Sequence, residues 1–193
     1  TDHVWVLHRP WSLTDDEKAQ NPEAACCTAA PPVLEFDAAG RYLRGWGGPG
    51  AGYEWPEDEH AIHVDHKRNV WITSAGGPRL RDGKENMILK FTSDGRFLLQ
   101  IGRRGMSQGS LDTANVNNAA DVYVEPRTNE LYVADGYVNR RVIVYDADSG
   151  AFKRLWRAYG NPPDDAASKA VTYEGPPPAQ FNLPPTTALL TPA

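Results

Sequence analysis

Three polar side chains in this sequence stand where a strand-like run meets a loop: Arg9, His60 and Tyr137. Arg9 follows the apolar run Val4-Trp5-Val6-Leu7-His8. Its planar guanidinium suits a bidentate grip on an anionic group, and equally a surface ion pair. His60 opens a strand in Glu57-Asp58-Glu59-His60-Ala61-Ile62. An imidazole at that point can ligate a metal, or sit at the surface among the acids. Tyr137 follows Asp135-Gly136 at another strand exit. A phenol there can donate a hydrogen bond, act as a base if its proton is drawn off, or serve as an amphipathic rim residue. His63 is expected to pack between strands and His66 to be solvated in a turn. Arg140-Arg141 read as a solvated pair, or as partners for Asp135.

The only cysteines are adjacent, Cys26-Cys27, so they cannot join distant segments. They read as reduced or buried thiols, with a strained vicinal disulfide as the alternative. The pair alone falls short of the roughly four ligands of a structural zinc site.

What must position these residues is a repeat. The turn Phe36-Asp37-Ala38-Ala39-Gly40 recurs as Phe91-Thr92-Ser93-Asp94-Gly95 and as Tyr145-Asp146 through Gly150, with the glycines 55 residues apart both times. An apolar run precedes each turn and another follows it. Glycine suits the positive-φ corner of a hairpin, and the neighbouring Asp suits the same turn. Within Asp121 to Trp156 four β-type runs are expected: Val122 to Val124, Leu131 to Val133, Val142 to Tyr145 and Phe152 to Trp156. Four strands in a β-rich period of about 50 residues are the size of a propeller blade.

The fold expected is all-β: three blades and the start of a fourth, half of a six-bladed ring, forming a single partial propeller domain over 1–193. Blade one covers about 1–53 and lacks its innermost strand. Blade two covers about 54–105, with strands at Ala61 to Val64, Val70 to Thr73, Ile88 to Phe91 and Phe97 to Ile101. Blade three covers about 106–160. A proline-rich linker and the start of blade four cover 161–193, with a first strand over Phe181 to Leu190. The long loops Arg9 to Pro32 and Gly76 to Asn86 are candidates for function.

With 193 residues, 40% of them hydrophobic, the chain can bury one core. Its net charge of -5, without a basic stripe, argues against nucleic-acid or anionic-membrane binding. No apolar run approaches the roughly 20 residues of a membrane helix. Thr1-Asp2-His3 stand directly before the first strand without an initiator Met, as in a mature or clipped chain.

Val133-Ala134-Asp135-Gly136-Tyr137-Val138-Asn139-Arg140-Arg141-Val142 resembles an NHL-repeat signature, and more narrowly a segment of the peptidyl-α-hydroxyglycine α-amidating lyases. Val6-Leu7-His8-Arg9 resembles that family's arginine-bearing segment, and Glu59-His60-Ala61-Ile62-His63-Val64-Asp65 its first zinc-histidine segment. The resemblance implies a six-bladed propeller with zinc held by three histidines in the channel. It makes His60 the first zinc ligand, Arg9 and Tyr137 the catalytic pair, and the Ile62 backbone carbonyl part of a structural calcium site. The implied reaction cleaves the C–N bond of a peptidyl-α-hydroxyglycine to give a peptide amide and glyoxylate. A periplasmic or extracellular location is also implied.

The chain departs from the family in three respects. The second zinc histidine belongs in Phe181 to Thr186, where Pro185 and Thr186 stand, and the third belongs to a later blade. Val138 follows Tyr137 where animal enzymes carry a cysteine. The expectation is a lyase-like chain, incomplete or inactive alone, acting on a peptide-like substrate. The alternative is a non-catalytic NHL module binding a peptide or protein. A calcium-dependent lactonase-like propeller would need several inner carboxylates, for which Asp121 alone stands. Open blade faces at both ends imply either a two-fold pair completing a ring or a missing C-terminal half.

Overall fold

The computed structural model describes residues 2–14, 29–75, 84–157 and 161–165. Every strand belongs to one of three antiparallel sheets taken in chain order. The first holds β1 (Val4–Leu7), β2 (Val33–Phe36) and β3 (Tyr42–Trp46). The second holds β4 (Glu59–Val64), β5 (Val70–Ser74), β6 (Met87–Phe91) and β7 (Phe97–Gly102). The third holds β8 (Asp121–Glu125), β9 (Glu130–Asp135), β10 (Arg141–Asp146) and β11 (Phe152–Trp156). Neighbours in sequence are neighbours in each sheet, so no crossover is needed. The strand expected from Phe181 and the cysteine pair lie outside the described residues.

The second sheet is covered on both faces. Val70, Ile72, Leu89 and Phe91 face the first sheet and pack with Val33, Trp5, Leu7 and Trp46. Trp71, Ile88 and Ile101 face the third and pack with Val122, Val124, Leu131, Val133 and Ile143. Strands β5 and β6 are therefore buried at every position. This explains why their sequences, VWITS and MILKF, show no polar alternation; a strand covered on both sides has no solvent face. Strand β1, with only one covered face, alternates between exposed and half-buried residues. Even the Lys90 ammonium is buried, donating to the Ala147 carbonyl at 2.6 Å and lying 4.9 Å from the Trp71 ring centre.

The hairpin corners carry the interlock between sheets. Gly40, Gly95 and Gly150 all take positive φ, at 79°, 87° and 71°. The corner at Gly95 abuts Trp46 of the preceding sheet, and the corner at Gly150 abuts Leu99 and Ile101 of its own predecessor. Gly40, in the first sheet, has no such neighbour. A corner without a side chain is what lets each hairpin approach the outer strands of the sheet before it.

Candidate functional site

His60 is the second residue of β4, the inner strand of the middle sheet. Its Nδ1 lies 2.8 Å from the Ala120 carbonyl, just before β8. A carbonyl only accepts, so Nδ1 carries the proton and donates it, leaving Nε2 as the lone-pair nitrogen of the neutral ring. That lone pair faces the Tyr137 hydroxyl at 3.1 Å. The two rings meet edge to face, 5.2 Å apart. The phenol donates, and the imidazole accepts. Tyr137 itself stands on the loop between β9 and β10 with 41% of its surface exposed.

Arg9 reaches the same strand from the end of β1. Its Nε donates to the Glu59 carbonyl at 2.7 Å and lies 3.0 Å from Asp58 Oδ1. Arg9 thus contacts the residue next to His60. The Glu59 carboxylate is buried beneath two indoles: Trp11 Nε1 donates to Oε2 at 3.1 Å and Trp55 Nε1 to Oε1 at 2.7 Å. Around these indoles opens a cavity of about 690 Å³, lined among others by Pro10, Pro31, Pro32, Gly47 and Pro56.

The loop bearing Tyr137 is rooted in a buried cluster. Asp135 accepts from Asn139 Nδ2, from Arg141 Nε and from the Asn117 backbone N–H, each at 2.8 Å. Arg141 also donates to the Ser110 and Asn115 carbonyls at 2.8 Å. The sequence offered Arg140-Arg141 as a solvated pair or as partners for Asp135. Arg141 is fully buried, so the solvated reading is corrected for it, and Asp135 is its partner. Burial pushes the Asp135 carboxyl up; Arg141 and the amide donors pull against it.

His63 packs between the second and third sheets. Burial holds its pKa below the usual imidazole value, with Asp65 and Asp121 opposing. The neutral ring accepts the Val124 N–H at 3.2 Å and lies against Tyr123. His66 is exposed in the turn after β4. Ile62 pairs with Ile72 in the sheet and packs its side chain into the core between the first two sheets.

The metals implied by the resemblance can be tested against these residues. Among the described residues no three His, Cys, Asp or Glu side chains come together as a metal would require. The outer nitrogen of His60, the atom a zinc ion would take, faces a phenol. The described residues do not fit a three-histidine zinc site, nor a carboxylate-rich calcium site around the Ile62 carbonyl. What they form is a hydrogen-bonded phenol–imidazole pair, with Arg9 bonded to the carbonyl of the residue before His60. The sequence pointed to each of the three residues. It offered Arg140-Arg141 as partners for Asp135, but carried no sign of the Ala120 carbonyl, which lies 60 residues from His60 in the chain.

No helix among the described residues is long and apolar enough to cross a membrane.

No family model matches the chain. It is 28% identical over 156 residues to NHL repeat-containing protein 3 of Homo sapiens, a match covering 80% of this chain and 38% of that protein. It is 28% identical over 138 residues to peptidyl-glycine alpha-amidating monooxygenase of Mus musculus, covering 68% of this chain and 11% of that protein. A solved structure from Bacteroides fragilis aligns at a TM-score of 0.36 and 17% identity over 51% of this chain and 23% of its own, a likeness too slight to build on. The chain thus spans 38% of the length of one curated relative and 11% of the other. Together with the three consecutive antiparallel sheets, these relatives support an NHL-type β-propeller family for the chain.

Proposed function

We propose that this chain carries a lyase-like site in which Tyr137 and His60 act as a proton-transfer pair on a peptidyl-α-hydroxyglycine. The observation that carries the reading is the 3.1 Å contact between the Tyr137 hydroxyl and the lone-pair nitrogen of His60. A phenol is a poor base with its proton in place. A neutral imidazole in line with the O–H can take that proton as the phenol oxygen takes another. The substrate's α-hydroxyl gives its proton to Tyr137 while the Tyr137 proton passes to His60 Nε2. The electrons of the broken O–H bond form the carbonyl of glyoxylate. The C–N bond breaks, its electron pair goes to the amide nitrogen, and that nitrogen takes up the proton that His60 Nε2 received. The imidazole and phenol end as they began.

Arg9 supports the same reading. Its contacts to the Glu59 carbonyl and the Asp58 carboxylate use Nε, and 38% of its side chain is exposed, so the end of the fork can meet the substrate's carboxylate. The similarity to an amidating monooxygenase supports the substrate class, and a periplasmic or extracellular place follows from the same resemblance. The test is glyoxylate release from a peptidyl-α-hydroxyglycine by the purified chain, with and without added zinc. Release that is lost in Tyr137→Phe supports the reading. No release under either condition sinks it.

The cavity over Trp11 and Trp55 favours a second reading, an NHL module that binds a peptide or protein. Its lining of prolines, glycines and two tryptophans is an apolar surface that suits proline-bearing side chains. Titrating a proline-rich peptide against tryptophan fluorescence tests it; no change in the emission would remove it.

A further inference from the structure

Within the site, one buried carboxylate reaches both sides of the His60 ring. The Oδ1 of Asp135 accepts the Asn117 N–H at 2.8 Å. Asn117 leads into Ala119 and Ala120, both buried, and the Ala120 N–H is held by the Ala134 carbonyl at 2.8 Å. The Ala120 carbonyl in turn accepts the hydrogen bond from His60 Nδ1. The Oδ2 of the same Asp135 accepts from Asn139 and Arg141, at 2.8 Å each. Those residues close the loop whose exposed tip is Tyr137, the donor to His60 Nε2. Asp135, Asn139 and Arg141 are all essentially inaccessible to solvent.

We infer that Asp135 is the positioning residue of the site: it holds the Ala120 carbonyl on one nitrogen of His60 and the Tyr137 hydroxyl on the other. This rests on His60 and Tyr137 being the reacting pair. The physical basis is that a buried, charge-assisted acceptor with three donors has a single favourable geometry. An exposed loop tip has none of its own. Asn139 restrains the tyrosine loop alone, because its amide bonds only the Oδ2 side. Asn117 restrains only the Ala120 side. The two arms can therefore be separated.

The experiment is NMR on the labelled full chain at one fixed pH, without turnover. Two signals are read. One is the hydrogen-bonded His60 Nδ1–H resonance. The other is the nuclear Overhauser contact between the Tyr137 ring and the His60 ring, whose centres lie 5.2 Å apart. In Asn139→Ala the ring contact disappears while the Nδ1–H resonance remains. In Asp135→Asn both are lost. Asn69→Ala, which removes a comparable side-chain bond to Asp65 in a turn of the second sheet, leaves both signals in place. If Asp135→Asn does not fold, Asn139→Ala decides alone. A folded Asn139→Ala chain that keeps the ring contact overturns the inference, as does loss of both signals in Asn69→Ala. Wild-type signals without glyoxylate release would remove the lyase reading and leave the positioning role standing.

Discussion

The Tyr137 hydroxyl lies 3.1 Å from His60 Nε2, although 77 residues separate the two in the chain. The contact joins the inner strand of the second sheet to a loop of the third. It depends on how those sheets pack, since neither builds it alone. The core of Trp71, Ile88, Val122, Val133 and Ile143 sets that packing. A shift of one sheet on the other by a fraction of a hydrogen-bond length would part the pair.

Tyr137→Phe removes the hydroxyl and nothing else. The residue is exposed at a loop tip, so the expected change in stability is within about 0.5 kcal/mol. Glyoxylate release should fall by roughly 10² to 10⁴, the usual range for a proton-transfer group. Rate and thermal melt measured on the same preparation check this. An unchanged rate denies the tyrosine its role.

Arg141→Ala should cost about 3–5 kcal/mol, because Asp135 then stays buried without its cation. It would also free the Ser110 and Asn115 carbonyls. Urea unfolding gives the number. A loss below about 1 kcal/mol would mean that the cluster contributes little to the fold.

Two glycine substitutions should separate backbone strain from contact. Gly40→Ala meets only the positive-φ penalty, about 1–2 kcal/mol, since nothing lies within 4 Å of the added methyl. Gly95→Ala meets the same penalty, and its methyl also falls 2.8 Å from the Trp46 ring. Crowding of that kind adds roughly 1–3 kcal/mol. The denaturation midpoint of Gly95→Ala should be the lower of the two; the reverse order would contradict the corner-on-strand contact.

Glu130 gives the fold an acid limb. Hydrogen bonds from Arg154 above all, then from Lys153 and Tyr132, hold its carboxyl far below the usual carboxylate range, against the opposing effect of burial. A group whose folded pKa is depressed contributes stability above its unfolded value, about 4.3 for Glu. That contribution is lost as pH falls below that value toward the folded pKa. Glu130→Gln should therefore lower stability at pH 7 by about 1–3 kcal/mol and flatten its fall in acid. Unfolding at several pH values from neutral to about 2 checks both. Parallel curves for the two proteins would rule the linkage out.

Much of the architecture was legible because it is local. These hairpin corners need positive φ, glycine takes that cheaply, and so Gly40, Gly95 and Gly150 mark the repeat in the sequence. Strands with one covered face, such as β1, alternate and can be read directly. Arg9, His60 and Tyr137 were visible as polar residues at strand ends, with a family resemblance to rank them. Tertiary structure decided the rest. It showed β5 and β6 buried on both faces, where the sequence pattern has no period to display. It buried Arg141 against Asp135, although adjacent arginines look like surface residues. It also chose the proton-bearing nitrogen of His60 through the Ala120 carbonyl, and turned the other nitrogen to a phenol. The His60 contacts join two sheets, whereas Arg141 and Asp135 are cross-strand partners within the third. Hydrogen bonds and packing at long sequence separation have no signature in the order of residues, because they form only where two independently folded surfaces meet.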